Sequence, residues 1–522
     1  MDKEKNNKKP KKDDKPNKGH KHLFGTSEKS DFILNMDSAG AQKMCAGFIA
    51  IAVAVITVMA VPAYFTQRVG EYQVGDVSHY LSENFIFYSA AMLMLAGGVG
   101  YLVFYISAQK GNVSLRSNKL LAVPVLMLIA GLVSCFTAKS LHDSMLGYVG
   151  WHDGLLTLAG CVGLFAVACA VSDTKRRSFI ADVLVIAGVF NAVTGILQVI
   201  PATSKLMHNY FEYLYVRPGT SAGSGEVYLA DDGPILSGIY TKSDAASGFL
   251  TSPHALAALL SVTFAAALAG AAFCESKKRR LLYAVSAPVM AAAACLTQVR
   301  SAVWGLAAGA AVILVMIVLK LIKKDKGALV GLAALAASAV AAVVLFTAAG
   351  AQFNDEKVIF TNGYIVRGVG YPGRYEYATF SADYGSDKTD IYKYLSKDGE
   401  YIITRKPVMG VGFDNLDYHY SDYSLSTDRI YNEYLDIGAS RGIVGLALYG
   451  IFMVITLIKA IKAAIRALGG EADWLAPMAL AAVAAYMVQG IFNTTWAFST
   501  YFVFIAAGLA WSYEILGKKQ KS

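Results

Sequence analysis

The sequence predicts an all-α, polytopic membrane protein with about twelve transmembrane helices. Of the 522 residues, 55% are hydrophobic and only 16% are charged, and the mean hydropathy is +0.44. These values lie outside the range of soluble globular proteins. Apolar runs of about 18 residues or more recur along the chain, and each is long enough to cross roughly 30 Å of hydrocarbon as a helix.

Twelve runs meet this requirement, and they define the predicted helices. Their approximate bounds are 44–65, 85–107, 120–137, 155–172, 179–200, 254–275, 281–299, 302–322, 327–349, 442–462, 474–492 and 497–516. All six cysteines lie inside these runs or at their ends. The sequence therefore supports neither a disulfide framework nor a cysteine metal site.

The loops between the predicted helices alternate in charge. Loops after even-numbered helices are basic, whereas the short loops on the other side carry little more than Arg68, Lys139 and Arg300. Because basic loops stay on the cytoplasmic side, we predict a multi-pass protein of the cell (plasma or inner) membrane with both termini in the cytoplasm. The basic loops contain Lys110, Arg116, Lys119, Lys175, Arg176, Arg177, Lys277 to Arg280, Lys320, Lys323, Lys324, Lys326, Lys459, Lys462 and Arg466.

The same pattern divides the chain into four parts. Residues 1–40 form a basic tail with ten lysines and five acidic residues in its first 30 positions, a composition typical of disorder. We predict that the tail contacts anionic headgroups rather than nucleic acid, because it is tethered to the membrane. Residues 41–350 contain predicted helices one to nine and an outer loop at 201–253. Residues 351–441 form an extracytoplasmic loop subdomain, and residues 442–522 carry the last three helices and the cytoplasmic C-terminus.

The loop subdomain is predicted to be mainly helical. A helix is expected in "DKTDIYKYLSKDGEYIITRKP", ending before Pro407. Asp428 is in position to N-cap a second helix at 429–437 that stops at Gly438. On the second helix, four polar side chains share one face by their spacing of three and four residues. They are Arg429, Asn432, Glu433 and Asp436.

Thirteen tyrosines accompany these charges between residues 351 and 440. Phenolic rings can stack on sugar faces, while carboxylates and amides bind hydroxyl groups. The loop subdomain therefore has the composition of a glycan-binding groove. The alternative that composition leaves open is a solvated lid that packs its own aromatic side chains.

Arg300 stands at the outer boundary between two apolar runs. It either extends to the headgroups or points into the bundle, where its planar fork suits a phosphate or pyrophosphate. Six histidines beyond the tail fall at outer positions, and none has the spacing of metal ligands. Walker, Rossmann and GxSxG patterns are missing at meaningful positions. The sequence thus supports no metal, no cofactor, no nucleotide-driven pumping and no serine hydrolysis.

Four stretches follow one another in order: "DAASGFLTSPHALAALL" (244–260), "LTQVRSAVWGLAAG" (296–309), "KDGEYIITRKPVMGVGFDNL" (397–416) and "YNEYLDIGASRGIVGLALY" (431–449). They look like a Ser-Gly-Thr-Phe and Pro-Asn segment, a Thr-x-Ser-Arg motif, a helix followed by Pro and Gly-x-Gly, and a His-Asn-x-x-Leu segment. In this order they resemble the O-antigen ligase and O-antigen polymerase family of bacterial surface-polysaccharide assembly. A weaker similarity is "MLGYVGWHDGLLT" (145–157).

The resemblance implies a GT-C-like fold and transfer of a glycan from a polyprenyl pyrophosphate carrier to an acceptor glycan or lipid, without a metal or nucleotide sugar. It places Arg300 on the family arginine, as a pyrophosphate ligand. Arg374 and Arg367 are candidate second ligands for the pyrophosphate. Other polysaccharide assembly proteins are candidate partners. The acceptor side is assigned to Arg429, Asn432 and Asp436.

The family histidine, which assists the acceptor hydroxyl, falls on Tyr431 in this sequence. A tyrosine is a poor base because its ordinary pKa is about 10, unless a nearby cation lowers it. The candidate catalytic residues are therefore Tyr431, Glu433 and His419, and Asp436 is a further carboxylate able to take the proton.

Two other functions are compatible with the sequence. One is a non-catalytic scaffold of an assembly complex, which the absent histidine would permit. The other is a secondary transporter, which should show internal repeats and Gly- or Pro-interrupted helices at the midplane. The sequence has neither feature, and it fits polymerase and ligase activity equally well.

Overall fold

The computed structural model describes residues 36–65, 69–74, 77–82, 87–113, 119–147, 152–200, 245–250, 252–323, 327–353, 391–419, 429–470 and 473–515. The chain divides into two compact units, Met1–Asp37 and Ser38–Ser522. Only residues 36 and 37 of the first unit are described, and every element below belongs to the second. Several predictions lie outside the described residues: most of the basic tail, most of the outer loop 201–253, Asp428, Arg367 and Arg374.

Helices make up almost all of the described chain. In order they are α1 (Ser38–Phe65), α2 (Phe87–Gln109), α3 (Ala122–Cys135), α4 (Leu141–Leu146), α5 (Leu155–Cys169), α6 (Thr174–Val199), α7 (Pro253–Phe273), α8 (Lys277–Leu296), α9 (Arg300–Ile322), α10 (Ala328–Ala348), α11 (Ile391–Arg405), α12 (Glu433–Leu468), α13 (Leu475–Gln489) and α14 (Tyr501–Ile515). Short 3₁₀ helices lie at Lys119–Leu121, Leu416–His419 and Gly490–Phe492. As predicted, α11 ends before Pro407.

The predicted all-α polytopic class is confirmed. Nine of the described helices are long and apolar enough to cross a membrane. Three shorter apolar helices, Lys119–Cys135, Leu155–Cys169 and Tyr501–Tyr513, occupy the remaining predicted runs. Large apolar side chains such as Leu102 and Val340 are 65% and 63% exposed. Such exposure is expected where a helix faces lipid rather than water.

One β-hairpin was missed by the sequence analysis. Strand β1 (Val69–Val74) pairs antiparallel with β2 (Val77–Ser82), with Val74 opposite Val77. The signal was present, because two runs rich in Val and Tyr are separated by the pair Gly75–Asp76. Hydropathy alone does not show it, because the segment lies in the connection between two apolar runs.

The central element of the bundle is α7, whose 21 residues are all buried. It contacts α6, α8, α9, α10 and α13. Its many alanines let the neighbouring backbones come close, as is common between helices in membranes. A Cβ added at Gly270 would lie 2.2 Å from the ring of Tyr283 on α8. The position of α7, and of the side chains at its ends, is therefore fixed from all sides.

The basic loops come together at one end of the bundle, here called the basic end (residues 172–178, 273–280, 320–323, 466–470 and 473–477). Lys323 Nζ donates a hydrogen bond to the Leu468 carbonyl at 2.6 Å, and Arg177 pairs with Asp473 at 3.1 Å. A cavity of about 470 Å³ at this end is lined by Lys175, Arg279, Arg280 and Lys320 among others. The basic loops after the fourth, sixth, eighth and tenth predicted helices therefore share one side.

Helix α12 is broken at Gly442, where φ is 68° and ψ is −178°. This backbone conformation is nearly confined to glycine. A Cβ at this position would lie 2.1 Å from the carbonyl oxygen of Val408. A break frees carbonyls before it and amides after it, and these groups must find partners where water is scarce.

Residues 407–412 supply those partners. This segment runs past the break and hydrogen-bonds to both of its sides. Gly410, with φ of 69°, lies so close that a Cβ would be 2.4 Å from the carbonyl of Ser440. The Pro and Gly-x-Gly pattern of the sequence is thus the part of the loop that joins α12. The hydrogen bonds join the amides of Val411, Gly412 and Ile443 to the carbonyls of Ala439, Ser440 and Pro407 at 3.1, 2.8 and 2.7 Å, respectively.

The helix predicted at 429–437 has other bounds. Glu433 is the first residue of α12, and Asn432 is its N-cap, because its side-chain oxygen accepts from two first-turn amides at 3.2 Å each. The helix continues through Gly438 and breaks only at Gly442. Arg429 therefore precedes the helix, and the predicted shared helical face does not exist as such.

The orientation of the bundle can be tested directly. Alkaline phosphatase fused after residue 400 should be active, because this position is predicted to be external, and a fusion after residue 277, at the basic end, should be inactive. A cytoplasmic reporter with the opposite requirement serves as the control at both positions. Activity of the phosphatase at 277 but not at 400 would reverse the predicted topology.

The break at Gly442 is expected to be intolerant of any side chain. Gly442→Ala should lower the stability of the protein by about 2 kcal/mol or more, because it combines backbone strain with a clash against Val408. Gly450→Ala is the matched control on the same helix, since a Cβ there would meet no atom within 4 Å. The measurement is the monodisperse fraction in detergent after graded heating. Equal melting of the two variants would contradict this account of the break.

Candidate functional site

The candidate site lies at the end of the bundle opposite the basic end, and we call it the polar end. It comprises residues 134–147, 152–157, 245–250, 252–254, 296–301, 407–419, 429–442 and 489–500. Hydrogen bonds tie these parts together: Ser134 Oγ to the Ser440 carbonyl (2.7 Å), the Ala246 amide to the Leu296 carbonyl (2.8 Å), Ser144 Oγ to the Phe413 carbonyl (3.0 Å) and Asn493 Nδ2 to the His254 carbonyl (2.8 Å).

His254 lies in the first turn of α7. Ser252 caps this helix by accepting a hydrogen bond from the His254 amide at 3.2 Å, and Pro253 stands in the first turn, as helix starts favour. The side chain of His254 is 0% exposed. Its ring centroid is 4.7 Å from that of Tyr431, with a tilt of 60°. Within the described part of the chain, neither ring nitrogen has a hydrogen-bond partner.

Arg300 begins α9 at the same end and is exposed. Its guanidinium carbon lies 5.6 Å from the ring centroid of Tyr392 on α11, within the range of a cation–π contact. The Tyr392 ring in turn meets Phe492 edge-on at 5.3 Å. Arg300 thus stands beside a small aromatic wall and at a helix N-terminus, where anions are favoured.

Three aspartates surround one buried arginine, forming what we call the aspartate–arginine cluster (Asp153, Asp414, Arg429 and Asp436). Arg429 Nη2 is 2.5 Å from Asp414, and Nη1 is 3.3 Å from Asp153 and 3.9 Å from Asp436. All four side chains are at most 10% exposed. Buried carboxylates require a counter-charge and hydrogen-bond donors. Arg429 supplies the counter-charge for carboxylates from three separate parts of the chain.

The segment that follows α13 supplies hydrogen-bond donors to this cluster. The Thr494 hydroxyl donates to Asp436, and the Thr495 hydroxyl donates to Asp153. Asn493 lies between the cluster and α7. Its side-chain amide reaches Gln489 Oε1 at 2.7 Å as well as the His254 carbonyl, and its oxygen accepts from the Trp496 indole at 2.9 Å.

Glu433 and Asp436 are buried, not exposed as the loop prediction implied. Glu433 is 1% exposed and Asp436 is 5% exposed. The Tyr449 hydroxyl donates to Glu433 Oε1, and Oε2 of Glu433 lies against Gly490, where a Cβ would be 2.7 Å away. The exposure was misjudged because the residues were placed in a solvated loop, whereas they start a helix that packs between α13 and the cluster.

The remaining predicted candidates occupy the edge of the same region. His419 ends the 3₁₀ helix at Leu416–His419 and is half-buried. Asn432 is half-buried and acts as the N-cap of α12. Tyr431 is 1% exposed. The structure therefore brings Tyr431, Glu433 and Asp436 together with His254, and leaves Arg300 at the neighbouring helix start.

His152 precedes α5 beside the cluster and is buried. Its burial lowers its pKa to about 4, and a bond to the Leu146 backbone offsets only part of that effect. The imidazole is therefore neutral near pH 7. Because its folded-state pKa lies below the ordinary value of 6.5, protonation between pH 6.5 and 4 favours unfolding, and the protein loses stability as the pH falls through that window.

Backbone strain is concentrated at the polar end. Among the described residues, the non-glycine residues with positive φ are His152 (47°), Gln298 (62°), Asp414 (46°) and Tyr431 (52°). All four lie next to the cluster, to His254 or to Arg300. Such conformations persist only when surrounding contacts enforce them, and they are typical of functional sites.

Sequence reasoning missed His254, Asp153, Asp414 and the segment 493–495. Several of their contacts, such as those of Asp153 with Thr495 and of His254 with Asn493, join parts of the chain more than 200 residues apart, so spacing alone gave no indication of them. One signal was available: "FNTTW" places three polar residues between two apolar runs, where a plain turn would suffice. No group of three or more His, Cys, Asp or Glu side chains in the described ranges is arranged to hold a metal ion.

The aspartate–arginine cluster should be a main determinant of stability at this end. Arg429→Met leaves three buried carboxylates without their counter-charge and should cost about 3–5 kcal/mol. Adding Asp414→Asn to Arg429→Met should recover part of the loss, because it removes one of the repelling charges. Arg176→Met is the control, since that arginine forms only an exposed pair with Asp173 at 3.8 Å. Thermal unfolding in detergent that is equal for Arg429→Met and Arg176→Met would disprove the role of the cluster.

Comparison with known proteins bears on the same residues. A family model described as O-antigen ligase matches residues 285–450. This range contains Arg300, the Gly-x-Gly segment and the start of α12. The resemblance predicted from the sequence is thereby confirmed. Among curated proteins, none matches the chain at a significant level.

Proposed function

Because residues 285–450 of this membrane protein match a family model described as O-antigen ligase, we propose that it transfers a glycan from a polyprenyl pyrophosphate to an acceptor glycan or lipid at the polar end of its bundle. The family and the membrane helices make it an enzyme of polysaccharide assembly. The donor, the acceptor and the residues that act on them are the content of this proposal.

The proposal rests on one observation: the five stretches that resemble the family lie together at the polar end. Stretch 145–157 contributes Asp153, 244–260 contributes His254, 296–309 contributes Arg300, and 397–416 contributes Asp414. Stretch 431–449 contributes Tyr431, Glu433 and Asp436. A bundle needs no such concentration of buried charge for its folding, and polar groups at membrane depth are typical of functional sites.

On the donor side, the bond that breaks joins the anomeric carbon to the pyrophosphate oxygen. The electron pair leaves with the pyrophosphate, so negative charge develops on phosphate oxygens. We assign to Arg300 the stabilisation of this charge, because its guanidinium binds two oxygens at once and stands at the N-terminus of α9. Arg367 and Arg374 remain proposed second ligands from the loop subdomain.

On the acceptor side, a hydroxyl oxygen forms the new bond to the anomeric carbon and loses its proton. A carboxylate offers several acceptor positions, so Asp436 can bind a sugar hydroxyl while it accepts from Thr494. Asn432 extends the same surface. Arg429 is engaged by three aspartates, and we propose that it acts by fixing their orientation.

The sequence offers three candidates for the base that takes this proton, and each has a distinct place in the structure. Tyr431 is a poor base, Glu433 is bound by Tyr449, and His419 lies at the rim. Direct displacement inverts the anomeric carbon and needs no covalent intermediate on the protein. The pyrophosphate bond supplies the driving force, which suits an external site without nucleotides.

Arg300→Lys tests the donor side. Transfer from radiolabelled lipid-linked oligosaccharide should fall about 100-fold, because an ammonium group cannot reproduce the bidentate fork. Abundance in the membrane should stay normal, since Arg300 is exposed. Arg176→Lys makes the same change at the basic end and should transfer at the wild-type rate. Full transfer by Arg300→Ala would exclude Arg300 from the reaction.

A further inference from the structure

The fully buried His254 has no role in the assignments above. It lies in the first turn of α7, the helix that is buried along its whole length. Its backbone amide donates to Ser252, and its backbone carbonyl accepts from Asn493. Its ring, by contrast, makes no hydrogen bond within the described part of the chain. Buried side-chain nitrogens are nearly always hydrogen-bonded in proteins, so a fully buried imidazole in this state calls for a functional explanation.

A second orphan polar atom lies close by. The side-chain oxygen of Gln489 accepts a hydrogen bond from Asn493 Nδ2 at 2.7 Å. Its side-chain nitrogen is also fully buried and has no partner among the described residues. Asn493 contacts both His254 and Gln489, so the two orphan groups belong to one polar region. Around one amide they offer a hydroxylated ligand a ring nitrogen that can accept a hydrogen bond and an amide nitrogen that can donate one.

The neighbour of the His254 ring is the position where the sequence departs from its family. The Tyr431 ring lies 4.7 Å from the His254 ring. By resemblance, Tyr431 stands where the family has histidine, and His254 stands where the family has the asparagine of its Pro-Asn pair. Two positions at which the sequence differs from the family pattern are thus in direct contact, although 177 residues of sequence separate them.

We propose that His254 is the general base for the acceptor hydroxyl, so that an imidazole stands at the same place although α7 carries it, rather than the segment that precedes α12. This inference rests on the proposed glycan transfer. In the step, the acceptor oxygen bonds to the anomeric carbon, the bond from that carbon to the pyrophosphate oxygen breaks, and the proton passes to the unprotonated ring nitrogen of His254. The imidazolium then releases the proton to water.

Access to His254 requires the Tyr431 ring to move, because both side chains are closed off in this structure. Tyr431 is well suited to this. Its backbone has a φ of 52°, a strained value for a tyrosine, and it lies in the short connection between Arg429 and the N-cap Asn432. Displacement of its ring by the acceptor exposes the imidazole, while the rigid α7 keeps His254 in place.

The test uses the full-length protein in proteoliposomes, with radiolabelled lipid-linked oligosaccharide extracted from the source cells as the probe. His254→Asn should lower kcat about 100-fold or more, the range of a lost general base, and change the KM for the donor by less than about threefold. His142→Asn is the matched control: that side chain is 74% exposed, and its variant should turn over like the wild type.

The decisive variant exchanges the two residues. Tyr431→His combined with His254→Asn returns the imidazole to position 431 and should recover kcat to within about tenfold of the wild type. A double variant that is present at normal abundance but as slow as His254→Asn alone overturns the proposal, and so does a His254→Asn protein with wild-type kcat.

Two further outcomes are distinguishable. If His254→Asn is not recovered from membranes in normal amounts, His254→Gln, which keeps a nitrogen near the Nε2 position, replaces it in the same assays, with the same expected loss. If the wild-type protein makes no product from the labelled donor, the proposed function fails. If the wild type is active, Arg300→Ala is inactive and His254→Asn is active, only the role of His254 fails.

Discussion

The broken helix α12 is the constraint on which the polar end depends. At Gly442 the helix gives up hydrogen bonds that a membrane cannot replace with water, and residues 407–412 restore them from outside the helix. This union fixes the loop subdomain to the bundle. It also determines where the next residues go, because Phe413 and Asn415 follow at once and are bound by Ser140 and Ser144.

Asp414 is carried into the bundle by the same turn. Its neighbours on both sides are held, and its own backbone is forced to a φ of 46°. The Asp414 side chain then pairs with Arg429, which lies just before the N-terminus of α12. One backbone pairing thus sets the position of a buried charge, and the charge in turn holds the strained segment that carries Tyr431.

The buried charges are costly, and their arrangement reduces the cost. Three aspartates share one arginine and receive two threonine hydroxyls. Replacing such a group by apolar side chains is often neutral or stabilising. Its presence, together with four strained residues, is therefore better explained by function than by folding. The basic end shows the contrast: its arginines and lysines lie mostly at the surface, as positive charge does beside headgroups.

The sequence predicted what depends on composition and local pattern. Within the described residues, hydropathy located the nine membrane-length helices and the three shorter apolar ones, and Pro407 correctly limited α11. The hairpin at 69–82 was missed although Gly75–Asp76 signalled it. The bounds predicted for the helix at 429–437 were wrong. Asp428 and Asn432 are both residue types that cap helices, and it is Asn432 that accepts from two first-turn amides. The contacts of Asp153, His254 and Asn493 were beyond prediction, since each depends on packing between distant helices.

The contact between His254 and Tyr431 explains why sequence motifs alone misjudge this site. A motif records which residue type stands at a place along the chain, whereas a reaction depends only on where the nitrogen lies relative to the hydroxyl. Two rings 4.7 Å apart can exchange identities with little change in that location. The helix start at Ser252–Pro253 defines the direction of the His254 side chain as firmly as the N-cap defines that of α12. A missing histidine in one segment is therefore not sufficient reason to regard such a chain as inactive, provided that a neighbouring segment presents an imidazole to the same place.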